Sequence, residues 1–324
     1  FNTVYNQSAQ KDLAYQERLK LINQAYHLAN EANIDSLLIK TLRRKAYLHS
    51  LNHQQDSAIY FSRQMLNTAT RINDSLFMGM AANRIGRYYK DVQVLDSSYF
   101  YFERAKKVYE DLGDSLQIVK NYTNMVTMLS DAGEFAQSDE MAIEALSFLK
   151  TIESPSHEAT LYNAMAIHAK DQNELQEALY WNELANSTTT SDRNRLIYLS
   201  NRANIYKDNG EYDKAIDLYM SLLDDLKEDS NTDNYNRTNN NLNFTRWLQT
   251  KDIGLEDDLL QGLELRKEAG TKIGEIASLR YLTLFYLDWN QSKTRIYAQD
   301  MYQQASKIKH IDYQLEALQL LMQA

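Results

Sequence analysis

MAANRIGRYYKDVQVLDSSYFYFERAKKVYEDL, residues 80–112, is the stretch that decides the fold. Met80 to Asp91 reads as one helix and Ser97 to Leu112 as a second, joined by a short polar turn. Working outward, the pattern recurs. Ala25, Met65, Ala105, Ala145 and Ala185 are spaced by forty positions, each in a helix-like run of small and aliphatic residues. Ala46, Gly86, Val126 and Ala166 keep the same beat, and Ala203 follows slightly early in the next unit. The unit after the quoted stretch repeats the pair as Ile118–Asp131, a turn at Ala132-Gly133-Glu134, and Ala136–Lys150. A fixed period of this length marks a chain built by stacking one supersecondary unit. Function in such an array lies on the surface the units create, seldom in a buried catalytic cleft.

Between units a helix start recurs as Asp35-Ser36-Leu37, Asp74-Ser75-Leu76 and Asp114-Ser115-Leu116. Asp or Ser there can accept the orphan amide hydrogens of the next helix. One period after Asp114 comes Ser154-Pro155, which puts the only proline at a first helical position, where no hydrogen bond is lost. The polar stretches Ser187–Asp192 and Glu228–Asn236 read as longer loops. A first helix is expected from about Gln10 to Ala32, without an upstream partner. Tyr313–Gln323 begins a further helix whose mate is missing, so the end at Ala324 reads as cut.

The 324 residues correspond to about eight units, which suits one continuous solenoid. With 9 Gly and 1 Pro, long helices are rarely interrupted. No apolar run approaches the roughly 18 residues of a membrane span. A formal charge of −9 argues against general nucleic-acid binding, which relies on clustered Lys and Arg. The absence of cysteine rules out disulfides and thiolate metal sites. No signal peptide is visible at Phe1, although one is removed from a processed chain.

These residues resemble the tetratricopeptide repeat (TPR). Its small residue, its aromatic three later and its second and third small residues match Gly86, Tyr89, Ser98 and Ala105, with Phe102 between the last two. Ala203, Tyr206, Gly210, Tyr212, Ala215, Tyr219 and Leu222 match better still. Ala46/Ala58, Val126/Ser138 and Ala166/Ala178 supply the same pair at the same separation. The resemblance implies an all-α, right-handed superhelical solenoid of antiparallel helix pairs, about seven to eight repeats. The expected division is a capping helix over 1–34, regular repeats over 35–226 and degenerate C-terminal repeats over 227–324, where Phe244/Glu256 and Thr283/Arg295 replace the small pair. The common repeat has about 34 residues. The surplus residues lie between units, where they imply longer helices and a deeper groove.

In this family the first helix of each pair lines the concave face. The positions facing that groove supply seven bases, Lys40, Arg43, Arg87, Lys90, Lys120, Lys170 and Lys207, and no Asp or Glu. Asn83, Asn163 and Asn204 join them, with Asn124 and Asn201 one position aside. An Asn amide both donates and accepts, so it can pair with an extended peptide backbone; asparagines do this in peptide-binding members of the family. A locally positive groove in an acidic chain attracts an anionic partner. Arg87, Lys90 and Lys207 are expected to face solvent.

The function expected is a non-enzymatic module that recognises a peptide or protein, acidic or extended, in its groove. No cofactor and no metal are expected: His49 and His53 are four apart, but His53 falls in a turn, and His168 reads as a packed histidine. Direct nucleic-acid binding is not expected, membrane association would need an absent flanking segment, and a homodimer would form through the terminal repeats. Ala25-Tyr26-His27-Leu28-Ala29 followed by Asp35-Ser36-Leu37-Leu38, with the Tyr- and Asn-rich composition, resembles the sensor regions of Bacteroidetes regulators. That resemblance implies a periplasmic sensory part of a signal-transduction or transcription regulator. Two alternatives stay open: a free-standing cytoplasmic peptide receptor or adaptor, similar to Gram-positive pheromone receptors, and a carbohydrate-binding sensor.

Overall fold

The computed structural model describes residues 1–10, 12–228, 232–308 and 310–324. Among these, 84% are helical and no strand occurs, so the fold is all-α. The chain divides into two compact units, 1–165 and 166–324. Unit 1 holds α1 (Asn2–Gln7), α2 (Tyr15–Glu31), α3 (Asp35–Leu51), α4 (Gln55–Arg71) and α5 (Ser75–Asp91). It continues through α6 (Leu95–Leu112), α7 (Ser115–Asp131), α8 (Phe135–Leu149) and the first part of α9 (Pro155–Asp171). Unit 2 takes the rest of α9, then α10 (Leu175–Thr188), α11 (Asp192–Asp208), α12 (Tyr212–Glu228) and α13 (Thr232–Thr250). A 3-10 turn at Ile253–Leu255 leads into α14 (Glu256–Glu268), α15 (Lys272–Tyr286), α16 (Gln291–Lys307) and α17 (Ile311–Gln323). From α1 to α8 in unit 1, and from α10 to α17 in unit 2, helices consecutive in sequence pack against one another.

The repeating small residues form the packing seam. Ala25, Met65, Ala105, Ala145 and Ala185 are all fully buried, as are Ala46, Val126, Ala166 and Ala203. Gly86 shows why the small residue is needed: a Cβ there would lie 2.8 Å from the Phe102 ring. The second small residue also carries a hydrogen bond. Ser98 Oγ donates to the Gly86 carbonyl at 2.9 Å, and Ser138 Oγ to the Val126 carbonyl at 3.0 Å. Only side chains this short let a hydroxyl on one helix reach the backbone of the next.

A second periodicity, of half the length, governs the turns. Asn33, His53, Asn73, Gln93, Gly113 and Gly133 are evenly spaced at half a repeat, and all adopt positive φ, between 54° and 77°. At each, the following amide reaches back five residues, as in Asp74 N to the Ala69 carbonyl (2.9 Å) and Asp114 N to the Tyr109 carbonyl (3.1 Å). This left-handed ending satisfies the last carbonyls of a helix and reverses the chain within about three residues. The surplus residues are therefore helical: α6 runs to Leu112 and α7 starts at Ser115.

Several expected boundaries shift for local reasons. α5 and α7 begin five and three residues earlier than the sequence pattern suggested, because Asp74 and Asp114 accept from Phe77 N (3.0 Å) and Gln117 N (3.1 Å). Asp35 is not a cap. It is one residue too late, Ile34 takes the cap position, and Asp35 pairs with Arg71 at 2.5 Å instead. The helix expected from Gln10 is α2, which starts at Tyr15 after an extended Ala14 and has an upstream neighbour in α1. Ser187–Asp192 is no long loop, since α10 runs to Thr188 and Ser191 caps α11 through Asn194 N. The loop expected over Glu228–Asn236 falls partly on 229–231, outside the described residues, and α13 begins at Thr232. Pro155 opens α9 as expected, with the Ser154 carbonyl accepting from Glu158 N at 3.1 Å.

In unit 2 the C-terminal helices use bulk where the earlier ones use small pairs. Phe244 stacks on Tyr281 with centroids 3.9 Å apart, and both sit in a core with Trp247, Leu282 and Phe285. Neither Glu256 nor Arg295 takes the seam role of a small residue. Glu256 accepts from Tyr286 Oη at 2.5 Å, and Arg295 binds the Ala324 carbonyl at 2.6 Å.

Gly86→Leu overpacks the α5–α6 seam and is expected to cost roughly 1–3 kcal/mol in a denaturation experiment. An unchanged melting curve would show that the seam is misplaced.

Candidate functional site

The first helices of unit 1 bring four of the expected groove residues together. Asn83 and Arg87 on α5 and Lys120 and Asn124 on α7 line one open pocket of about 440 Å³, which the first turn of α9 completes. Helical geometry explains the convergence: residues three and four apart share a face, so Met80, Asn83, Arg84 and Arg87 point the same way. Among the described residues, no Asp or Glu lines the pocket. Arg87 and Lys120 form no ion pair among the described residues, so their charge is uncancelled.

Tyr109 of α6 also lines this pocket, and its ring lies against α5 because Gly79 has no side chain. A Cβ at Gly79 would meet the ring at 2.6 Å. Burial and the Asp114 carboxylate push the Tyr109 hydroxyl far above its ordinary range, only partly opposed by Arg84. It is a neutral group at any physiological pH.

The asparagines are held in a chain of hydrogen bonds. Asn124 Nδ2 donates to Asn83 Oδ1 (3.0 Å), and Asn83 Nδ2 to Asn121 Oδ1 (2.8 Å). Fully buried Asn121 in turn donates to the Phe102 carbonyl at 3.0 Å. The two pocket amides are thus held in fixed orientations by the protein itself.

Unit 2 treats its bases differently. Lys170, Asn201 and Asn204 line a smaller notch of about 150 Å³ whose other walls are Ala166, Ile167 and Ile205. Lys170 Nζ lies 2.6 Å from Asp171 and 3.5 Å from Asp208. Burial pulls the Lys170 ammonium down, but bonding to these carboxylates outweighs it and its pKa ends above the usual lysine value. Asn204 Oδ1 accepts from Tyr219 Oη (2.6 Å) and from Asn241 Nδ2 (3.2 Å).

Lys207 departs from expectation. It is only 9% exposed, lies over the Tyr281 ring at 5.7 Å and pairs with Asp208 at 3.4 Å. Tyr281, far downstream on α15, covers it, which no spacing around Lys207 could show. Of the bases expected along the first helices, Arg87 and Lys120 thus share one pocket in unit 1, while in unit 2 Asp171 and Asp208 offset the lysines.

The remaining expected residues stand apart from both pockets. Lys40 is exposed and Arg43 half-buried on α3, Lys90 lies at the end of α5, and Asn163 is half-buried on α9. His53 holds a left-handed turn position (φ 56°), and His168 is fully buried. The sequence reading missed Arg84, Gln117 and His157. Arg84 was signalled by its place three residues before Arg87, and Gln117 and His157 by lying one repeat apart.

No family model matches the chain, and no curated protein matches it. Solved structures do. The apo form of the quorum sensor NprR from B. thuringiensis superposes with a TM-score of 0.74 at 12% identity, covering 93% of this chain and 86% of that one. The fold is a TPR-like helical solenoid. The Rap conjugation gene regulator of plasmid pLS20, in complex with the Phr* peptide, gives 0.68 at 13% identity over 87% of this chain and 78% of its own. Aspartyl phosphate phosphatase F from Bacillus subtilis gives 0.59 at 13% identity, over 98% and 91%. At these identities the likeness is one of fold.

Lys207→Glu sets a second carboxylate against Asp208 in a covered position and is expected to destabilise by on the order of 2 kcal/mol. Arg87→Glu, on a side chain that reaches solvent, should stay within about 0.5 kcal/mol of the parent. Equal melting temperatures for the two variants would contradict this division.

Proposed function

We propose that this chain is a binding module, without catalytic turnover, that holds an acidic, extended peptide or protein segment. One observation carries the reading. Arg84, Arg87 and Lys120 converge with the preset amides of Asn83 and Asn124 in an open pocket that no carboxylate of the described residues lines, within a chain of net charge −9. Such a contrast draws an anionic ligand to one place and repels it elsewhere. The amides add donors and acceptors suited to a peptide backbone, which bonds without regard to side-chain sequence.

The solved structures of like fold support the same direction. One is a quorum sensor, and another is a gene regulator in complex with a peptide. A sensory role in bacterial regulation fits this chain on that basis, with a ligand-dependent change in the solenoid as its output.

Titrating a labelled pool of Asp- and Glu-rich peptides measures the reading directly. The double variant Arg87→Glu/Lys120→Glu should lose about tenfold or more in affinity, equivalent to about 1.4 kcal/mol. It should melt close to the parent, since both side chains reach solvent. Undiminished affinity in the double variant would sink the pocket as the binding site.

A further inference from the structure

His157 occupies an unusual place in this pocket. It sits on the first turn of α9, two residues after Pro155, and lines the same space as Arg87 and Lys120. Its Nδ1 lies 2.7 Å from Ser154 Oγ, while the Ser154 carbonyl accepts from His157 N at 3.0 Å. The imidazole therefore folds back over the start of its own helix, as a glutamate does in a capping box. A serine hydroxyl both donates and accepts, so this bond survives whether or not Nδ1 carries a proton. Nε2, the other nitrogen, carries a hydrogen in both the cation and the neutral form that accepts at Nδ1.

We propose that anion binding in this pocket takes up a proton on His157, so that the site binds more tightly as the pH falls. The inference rests on the pocket's being the anion site proposed above and adds its regulation. The surroundings set the sign. In the empty pocket the imidazole faces Lys120 from α7, with Arg84 and Arg87 on α5 and the neutral Tyr109 on α6 lining the same space. Glu153 and Glu158 lie close to it in sequence, and Glu158 accepts from Tyr162 Oη at 3.0 Å. The start of a helix also disfavours a cation. Burial, and then the Lys120 charge, hold the imidazole below its ordinary range, so the free site is neutral at His157 near pH 7.

An anion among these bases reverses the balance. It offsets the Lys120 field and offers Nε2–H an acceptor, so the cationic form is favoured in the complex. Between the lowered value of the free site and the raised value of the complex, only the complex holds the proton. Affinity rises with falling pH across that window and levels off below it, where both states are protonated. The coupling needs no movement of α9, because the hydrogen bond to Ser154 persists throughout.

Sulfate is a suitable probe because its charge does not change between pH 5 and pH 8, so any pH dependence belongs to the protein. NMR titration of the His157 ring, assigned by its loss in His157→Gln, is followed in chloride and in sulfate at equal ionic strength. Sulfate is expected to raise the His157 midpoint by about one pH unit, a tenfold gain in proton affinity. The same addition should leave His157 unmoved in Arg87→Glu/Lys120→Glu. In the peptide titration, His157→Gln should flatten the pH dependence while keeping the affinity seen at high pH. If sulfate shifts the Arg87 and Lys120 amides but not the His157 midpoint, proton coupling is overturned and the anion pocket stands. If neither sulfate nor the acidic peptides perturb these amides, the pocket reading fails and this inference falls with it.

Discussion

Everything in this structure depends on how closely two helices approach at Gly86. With no side chain there, the Phe102 ring packs against α5 and Ser98 reaches the Gly86 carbonyl. Burying these groups removes apolar surface from water and satisfies the serine hydroxyl in the same contact. The contact also fixes the rotation of α5 about its own axis. Once that rotation is set, Asn83, Arg84 and Arg87 have no choice of direction, and they face α7 and α9 across the pocket. Val126 and Ser138 set α7 in the same way.

The turns contribute equal spacing. A left-handed residue at every half-repeat through most of unit 1 gives α2 to α7 nearly the same length, 17 or 18 residues, so little slippage accumulates between helix pairs. Glycine takes that conformation freely, whereas asparagine, histidine and glutamine accept some strain there. Their presence at Asn33, His53, Asn73 and Gln93 shows that the hydrogen bonds reaching back into the helix offset that strain.

The two pockets show how one scaffold yields different electrostatics. Bases and asparagines from first helices line the first, and the single base Lys170 with Asn201 and Asn204 the second. In unit 1 Arg87 and Lys120 have no ion-pair partner among the described residues, and the amides are preset through buried Asn121. In unit 2 two aspartates, Asp171 and Asp208, answer Lys170 and Lys207, which leaves a notch dominated by Ala166, Ile167 and Ile205. Charge in the first pocket meets no carboxylate of the described residues; charge in the second is neutralised within the protein itself.

Much of this was written in the order of residues. The regular beat, the small pairs and Ser154-Pro155 specify helix pairs, their seams and their register, because each rests on contacts between near neighbours in sequence. Gathering Asn83, Arg87, Lys120 and Asn124 on one wall also follows from that register. What the sequence could not decide were contacts made at a distance and by side-chain direction. Tyr281 covers Lys207 from two helix pairs further along the chain, and the solvent-exposed Asp208 pairs with it. Whether His157 points into the pocket or away depends on the Ser154 bond, and whether Asn83 is loose or preset depends on Asn121. Periodicity determines which face a residue occupies, but only tertiary packing decides whether its charge meets water, a ligand or another side chain.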